Sequence, residues 1–215
     1  MPSAVEHLLA SAGSGRRADA RRNVQRLVAA ARAALAEDGL GVTTREVARR
    51  AGVGLGTLYR QLPNLDELLS AILFDAIAEM TDQATSALDD ADPWEGFAHF
   101  AETFVQLRAT SCGLHDALSS DYGQAIDTEV ARLRQAVGKL VRHAQNAGAL
   151  RADIDWRDVP FVLASAIPTG HTIGIPAKHD QWKRNLTIIL DGMHARPGLA
   201  APDATNRSHD NPHPK

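Results

Sequence analysis

Residues 42–62 constrain this chain more than any other stretch. Thr43 followed by Glu46 is a capping box, with Val42 and Val47 at the hydrophobic-staple positions around it. A short helix therefore starts at Thr43 and runs to about Arg50, and Ala51-Gly52 closes it. A second short helix runs from about Gly54 to Gln61. Only three residues separate the two, the length of a helix-turn-helix turn. Upstream, Val24, Leu27, Val28, Ala31 and Leu35 follow the helical period over about residues 20–38, with Gly39 or Gly41 at the end. Downstream, Pro63-Asn64 breaks the chain, and Asn64 can cap a helix whose first turn holds Asp66 and Glu67.

The rest of the chain continues in the helical period. Leu65, Leu68, Leu69, Ile72, Leu73, Ala76 and Met80 give the helix after Asn64 a broad apolar face, and it should reach about Leu88. Trp94, Phe97, Ala101, Phe104 and Leu107 line the next helix. A short segment is expected around Leu114–Leu118, and a long helix over about Tyr122–Asn146. Asp158 opens another helix, which Pro168, Gly170, Gly174 and Pro176 kink or fragment. The last helix spans about Asp180–Ala195, with Trp182, Leu186, Ile189 and Met193 on one stripe. No β-alternation argues for a sheet, so the expectation is an all-α chain of about nine helices. Residues 1–18 read as a flexible arm and residues 197–215 as a disordered tail.

Net charge over the 215 residues is −3, which argues against a nucleic-acid partner. Its distribution reverses that argument. Residues 1–65 carry ten basic and five acidic side chains, and the remaining 150 residues hold a net −8. A basic module on an acidic body implies a different partner for each. The single cysteine excludes a disulfide framework. No run of 18 apolar residues spans a membrane, and residues 1–17 do not read as a secretory signal, so a cytoplasmic chain with no membrane partner is expected.

A unit of this geometry can lay its second helix in a major groove while the first crosses the backbone. Thr57 can offer a hydroxyl to phosphate or a methyl to thymine, Tyr59 can bond phosphate, and Gln61 carries a base-reading amide. Arg45 and Arg49 can neutralise phosphates, while Arg16, Arg17, Arg21 and Arg22 can track the backbone or enter a minor groove. Short capped helices also occur in many helical proteins that never touch nucleic acid, so this geometry alone leaves the matter open. The Gly52-x-Gly54-x-Gly56 run is not a nucleotide loop, because no strand precedes it and no Lys-Ser or Lys-Thr follows.

Thr43-Thr44-Arg45-Glu46-Val47-Ala48-Arg49-Arg50-Ala51-Gly52-Val53-Gly54-Leu55-Gly56-Thr57-Leu58-Tyr59 resembles the signature of the TetR family of transcriptional regulators. The Ala-rich helix before it and Pro63-Asn64-Leu65-Asp66-Glu67-Leu68 after it extend the likeness over about residues 20–75. The resemblance implies a three-helix DNA-binding domain over residues 19–65 and a helical effector-binding and dimerisation domain over residues 66–196. It also implies a homodimer, each head reading half of an operator, and no enzymatic activity or cofactor. It carries Thr44, Arg45, Thr57, Tyr59 and Gln61 onto positions that face DNA in the family, and with Arg21, Thr43, Gly54, Arg60 and Asn64 these make up the expected DNA-facing set. The chain departs from the common pattern at Gly54-Leu55, Gln61-Leu62 and Leu65, where many members carry polar, aromatic or lysine side chains. Those changes remove several usual DNA contacts.

For the body, the resemblance implies an effector pocket among the helices, with Trp94, Phe97, Phe104, Arg108, Cys112, His115, Tyr122 and His171 as lining candidates. Mostly aromatic residues with few polar points suit a small apolar or aromatic ligand. The same spacing also serves a plain core. Cys112 and His115 lack the orienting group and oxyanion site that nucleophilic catalysis needs. His115, His143, His171 and His179 form no close-spaced metal set. The last two helices, with small residues near Gly170 and the Trp182–Met193 stripe, are the expected dimer surface. A ligand-responsive repressor is the reading these features favour. A constitutive regulator without effector, and a helical interaction protein with weakened DNA binding, stay open.

Overall fold

In the computed structural model the described residues are 3–6, 17–62, 64–110, 124–168 and 170–195. The expected segment at Leu114–Leu118 and the tail after residue 196 lie outside them, as do Cys112, His115 and Tyr122. Eight α-helices are described: α1 (Arg17–Asp38), α2 (Thr44–Ala51), α3 (Leu55–Gln61), α4 (Leu65–Ser86), α5 (Pro93–Thr110), α6 (Gln124–Asn146), α7 (Val159–Ala164) and α8 (Gln181–Met193). Short 3-10 turns follow α1 and α4, and a two-residue antiparallel hairpin, β1 (His171–Thr172) with β2 (Ile175–Pro176), separates α7 from α8. The helix expected to be kinked or fragmented ends at Ala164, and the hairpin that follows was not expected. Gly174 (φ 79°) and Ile173 (φ 44°) adopt left-handed backbone, which turns the chain back on itself instead.

Local signals explain the first three helices. Thr43 Oγ1 accepts the Glu46 amide at 3.3 Å, capping α2. At the other end Gly52 sits at φ 63°, where the Gly52 amide bonds Arg49 O at 3.2 Å and the Val53 amide bonds Ala48 O at 3.1 Å. That double bond pattern is a Schellman stop, and only glycine adopts it without Cβ strain. Leu27, Ala31, Ala34 and Leu35 of α1 meet Val47, Ala48 and Ala51 of α2 and Leu58 of α3 in a closed apolar core.

Helix α4 is the spine of the molecule. Asn64 Oδ1 accepts the Asp66 amide at 3.0 Å and starts it. Its near end packs on α1, and its length packs most extensively against α6. Leu68, Leu69, Ile72, Leu73, Ile77 and Met80 are all buried along it. Helix α5 is the second hub, touching α4, α6, α7 and α8. Gly96 lets its first turn cross the end of α4, because a Cβ there would strike the Ala87 carbonyl. The ends of α6 and α8 are stitched together by Arg151 N to Met193 O at 3.1 Å and Ala195 N to Ala149 O at 2.9 Å.

Within the stretch read as a flexible arm, Ser3 and Glu6 form a reciprocal capping box of 3.0 and 3.1 Å. The Asp75 carboxylate of α4 accepts the Ala4 amide at 2.6 Å and the Val5 amide at 3.2 Å, and Val5 is buried. That short turn is thereby docked on the spine.

Candidate functional site

The reading head presents α3 outward. Leu58 and Leu62 point into the core at 1% and 2% exposure, so the opposite face is open. Gly54, Leu55, Gly56, Tyr59 and Arg60 are exposed on it. Tyr59 is 57% exposed and Leu55 39%, leaving an aromatic ring and a leucine without an intramolecular core to join. Arg60 donates to Thr57 Oγ1 at 3.3 Å, which holds both over that face. Thr43 and Arg45 are exposed and Thr44 half-buried at the start of α2. Arg21 lies in α1, and its side chain is outside the description. Asn64 is exposed, with its amide committed to capping α4 and to Glu67 Oε1 at 3.1 Å.

Glu46 does not close the capping box from its own side. Its carboxylate instead takes Arg49 at 2.5 and 2.9 Å and Arg50 at 2.6 Å. Arg50 continues to Glu37 at 2.7 Å and Asp38 at 2.9 Å, which ties α2 to the end of α1. Arg49, expected to face phosphate, is thus engaged within the head. The Arg49 and Arg50 hydrogen bonds hold the Glu46 carboxyl down to about 2, against an ordinary value of 4.5. A folded-state value below the unfolded one stabilises above pH 4.5, and the effect is lost as pH falls toward about 2. Glu46→Gln is therefore expected to lower thermal stability at neutral pH, with the gap to the parent closing across that interval in circular-dichroism melts. A gap independent of pH would contradict it.

Gln61 is the departure from expectation at the end of α3. It is half-buried, and its Oε1 is buried with no protein partner. An amide so placed presents no base-reading acceptor in this rotamer. An unsatisfied buried acceptor costs about 1–3 kcal/mol. Gln61→Leu is therefore expected to raise the unfolding midpoint in urea, and a lowered midpoint would show that the amide has a stabilising role.

The body holds a cavity of about 450 Å3 between α5, α6, α7 and the turn before α7. Small-molecule pockets usually run about 300–1,000 Å3, so the size fits one compact ligand. Phe104, Val130, Leu133, Val137, Trp156, Pro160, Phe161 and Ala164 form its apolar wall, and Arg108, Arg134 and Arg157 its polar points. Of the expected lining residues, Phe104 and Arg108 are there. Phe97 is fully buried core, and Trp94 packs on it at 5.9 Å and edge-on to His194 at 4.3 Å. His171 is exposed on the hairpin, away from the lining. Trp156, on the opposite side of the wall, carries no periodic signal because it lies in a turn rather than a helix. Among the described residues no group of histidine, cysteine and carboxylate side chains could hold a metal ion.

The fold that carries these two features is similar to that of known proteins over most of the chain. The TetR transcription regulatory protein from Mycobacterium vanbaalenii is 33% identical in a solved structure (TM-score 0.56), over 84% of this chain and 99% of that one. The chain belongs to the TetR family of transcriptional regulators. The model for bacterial regulatory proteins of the tetR family matches residues 27–72, and that for the SbtR-like transcriptional regulator C-terminal domain matches residues 92–195. The TetR regulator SCO0520 from Streptomyces coelicolor is 28% identical over 80% of this chain and 98% of its own, with TM-score 0.57. The HTH-type transcriptional regulator Mb1846 of Mycobacterium bovis is 36% identical over 84 residues, and this chain spans 36% of that relative's length. The relatives are regulators of transcription, not enzymes. No helix among the described residues is long and apolar enough to cross a membrane.

Proposed function

We propose that this chain is a ligand-responsive repressor that acts as a homodimer on operator DNA in the cytoplasm. Each α3 enters a major groove, with Thr57, Tyr59 and Arg60 toward DNA and Thr44 and Arg45 at the flanking phosphates. The exposed apolar side chains of the last two helices support the pairing. Phe161 (79% exposed) on α7 and Ile188 (70% exposed) on α8 lie largely open in the single chain, with Val162 part-exposed beside them, and a two-fold pair of these helices would bury them.

The observation that carries the ligand response is the position of the cavity. Its α6 wall, Val130, Leu133 and Val137, belongs to the helix that packs most extensively on α4. Helix α4 in turn carries the reading head. A small apolar or aromatic effector that fits the cavity better when α6 is displaced would shift α4 and change the separation of the two heads. Only that difference in affinity between the two states favours release.

The test is retardation of DNA from the protein's own promoter region at low salt, with and without fractionated cell metabolites. Retarded DNA released by one fraction is the expected result. DNA that is never retarded overturns the DNA-binding reading, and retardation that no fraction alters overturns the ligand response.

A further inference from the structure

The cavity's charge says more about its ligand than its shape does. Residues 66–215 are acidic overall, yet the cavity lining contains three arginines and not one carboxylate among the described residues. The three come from different places: Arg108 from α5, Arg134 from α6 and Arg157 from the turn before α7. Chance clustering along one helix face therefore does not account for them. Arg108 is half-buried above the Phe104 ring, 5.7 Å from its centroid, and burial pulls its guanidinium below the ordinary arginine value. Arg157 lies 5.0 Å from the Trp156 ring centroid. Its carboxylate neighbour, Asp155, is exposed, accepts the Arg157 backbone amide at 2.9 Å and reaches the guanidinium only at 3.4 and 3.5 Å. Both cations thus lie over aromatic faces that themselves line the cavity.

We propose that this cavity takes a compact organic anion, an apolar or aromatic body bearing one carboxylate. The inference rests on the ligand-responsive reading above and narrows it from any apolar molecule to an anionic one. The body of the ligand lies against Phe104, Val137 and Trp156, replacing water on apolar surface. The carboxylate lies toward Arg108, whose planar fork matches two carboxylate oxygens. A ligand lacking the charge forgoes the charge-assisted bonds that the carboxylate gains from the arginines, which selects against neutral analogues of the same shape. Arg134 and Arg157, closer to solvent, raise the local concentration of anions at the mouth.

The test uses the full chain and two isosteric probes, naphthalene-1-carboxylate and naphthalene-1-carboxamide, titrated by calorimetry. A charge-assisted hydrogen bond predicts that the carboxylate binds at least about tenfold tighter than the amide. Arg108→Gln is expected to remove that preference, and Arg157→Gln, on an exposed side chain, to reduce it without affecting the fold. Equal binding of the two probes overturns the proposal, as does a preference that survives both substitutions, or failure of the carboxylate to bind at millimolar concentration. The wider reading fails separately. If a neutral metabolite fraction releases the operator while the carboxylate does not bind, the anion is wrong and the effector stands. If no fraction releases it, the effector itself is absent.

Discussion

Phe97→Ala is expected to destabilise the protein by about 3–5 kcal/mol, the range for truncating a buried phenylalanine. Phe97 is fully buried, and it lies on α5, the helix in contact with α4, α6, α7 and α8. The substitution removes the ring's burial and leaves a cavity among helices that cannot close in on it independently. In a chain of this size each kcal/mol shifts the melting midpoint by about 2–4 °C, so a fall of roughly 6–20 °C should appear in circular-dichroism melts. Operator affinity, measured well below the new midpoint, should be retained, because Phe97 lies in the body and not in the head. A melting midpoint within about 2 °C of the parent would show that this ring is not the core residue its burial indicates.

Tyr59→Phe carries the opposite expectation. The side chain is 57% exposed on α3, so losing its hydroxyl breaks no packing and the melting midpoint should not move. A hydrogen bond from that hydroxyl to a phosphate oxygen is charge-assisted and contributes about 1.5–3 kcal/mol. Operator affinity is therefore expected to fall by about tenfold or more in equilibrium retardation assays. The salt dependence should stay unchanged, because tyrosine releases no counterion. Unaltered affinity would remove Tyr59 from the DNA-facing set.

These two residues also show what could be read in advance. Tyr59 was a candidate for the DNA-facing set, but the sequence left it equally free to pack on the first helix; with Leu58 and Leu62 turned inward the structure leaves it exposed. Phe97 was open in the same way. Its spacing with Trp94, Ala101 and Phe104 places it on the apolar stripe of α5 equally well as core or as pocket wall. The structure put Phe97 in the core and Phe104 and Arg108 on the cavity, because α5 is covered by different helices along its length. Trp156 escaped notice for a related reason: it enters the wall from a turn, where no period exists to mark it.

The same division holds for the polar groups. Thr43 and Asn64 were recognisable as caps because a cap is a local bond between a side chain and a backbone amide two or three residues on. The capture of Glu46 by Arg49 and Arg50, and the extension to Glu37 and Asp38, required the approach of α1 to α2. The loss of Gln61 as an open base reader likewise came from the packing around the end of α3.

The amino-acid sequence by itself determined most of the helices, the caps that start them, and the division into a basic head and an acidic body. Those depend on interactions within a few residues, and on charge, which adds along the chain irrespective of fold. Only the tertiary structure decided which faces meet. It joined α4 to α6, opened a cavity beside α6 and brought three arginines from three elements to its wall. Distances between segments far apart in sequence are set by how whole helices pack, and no local spacing encodes them.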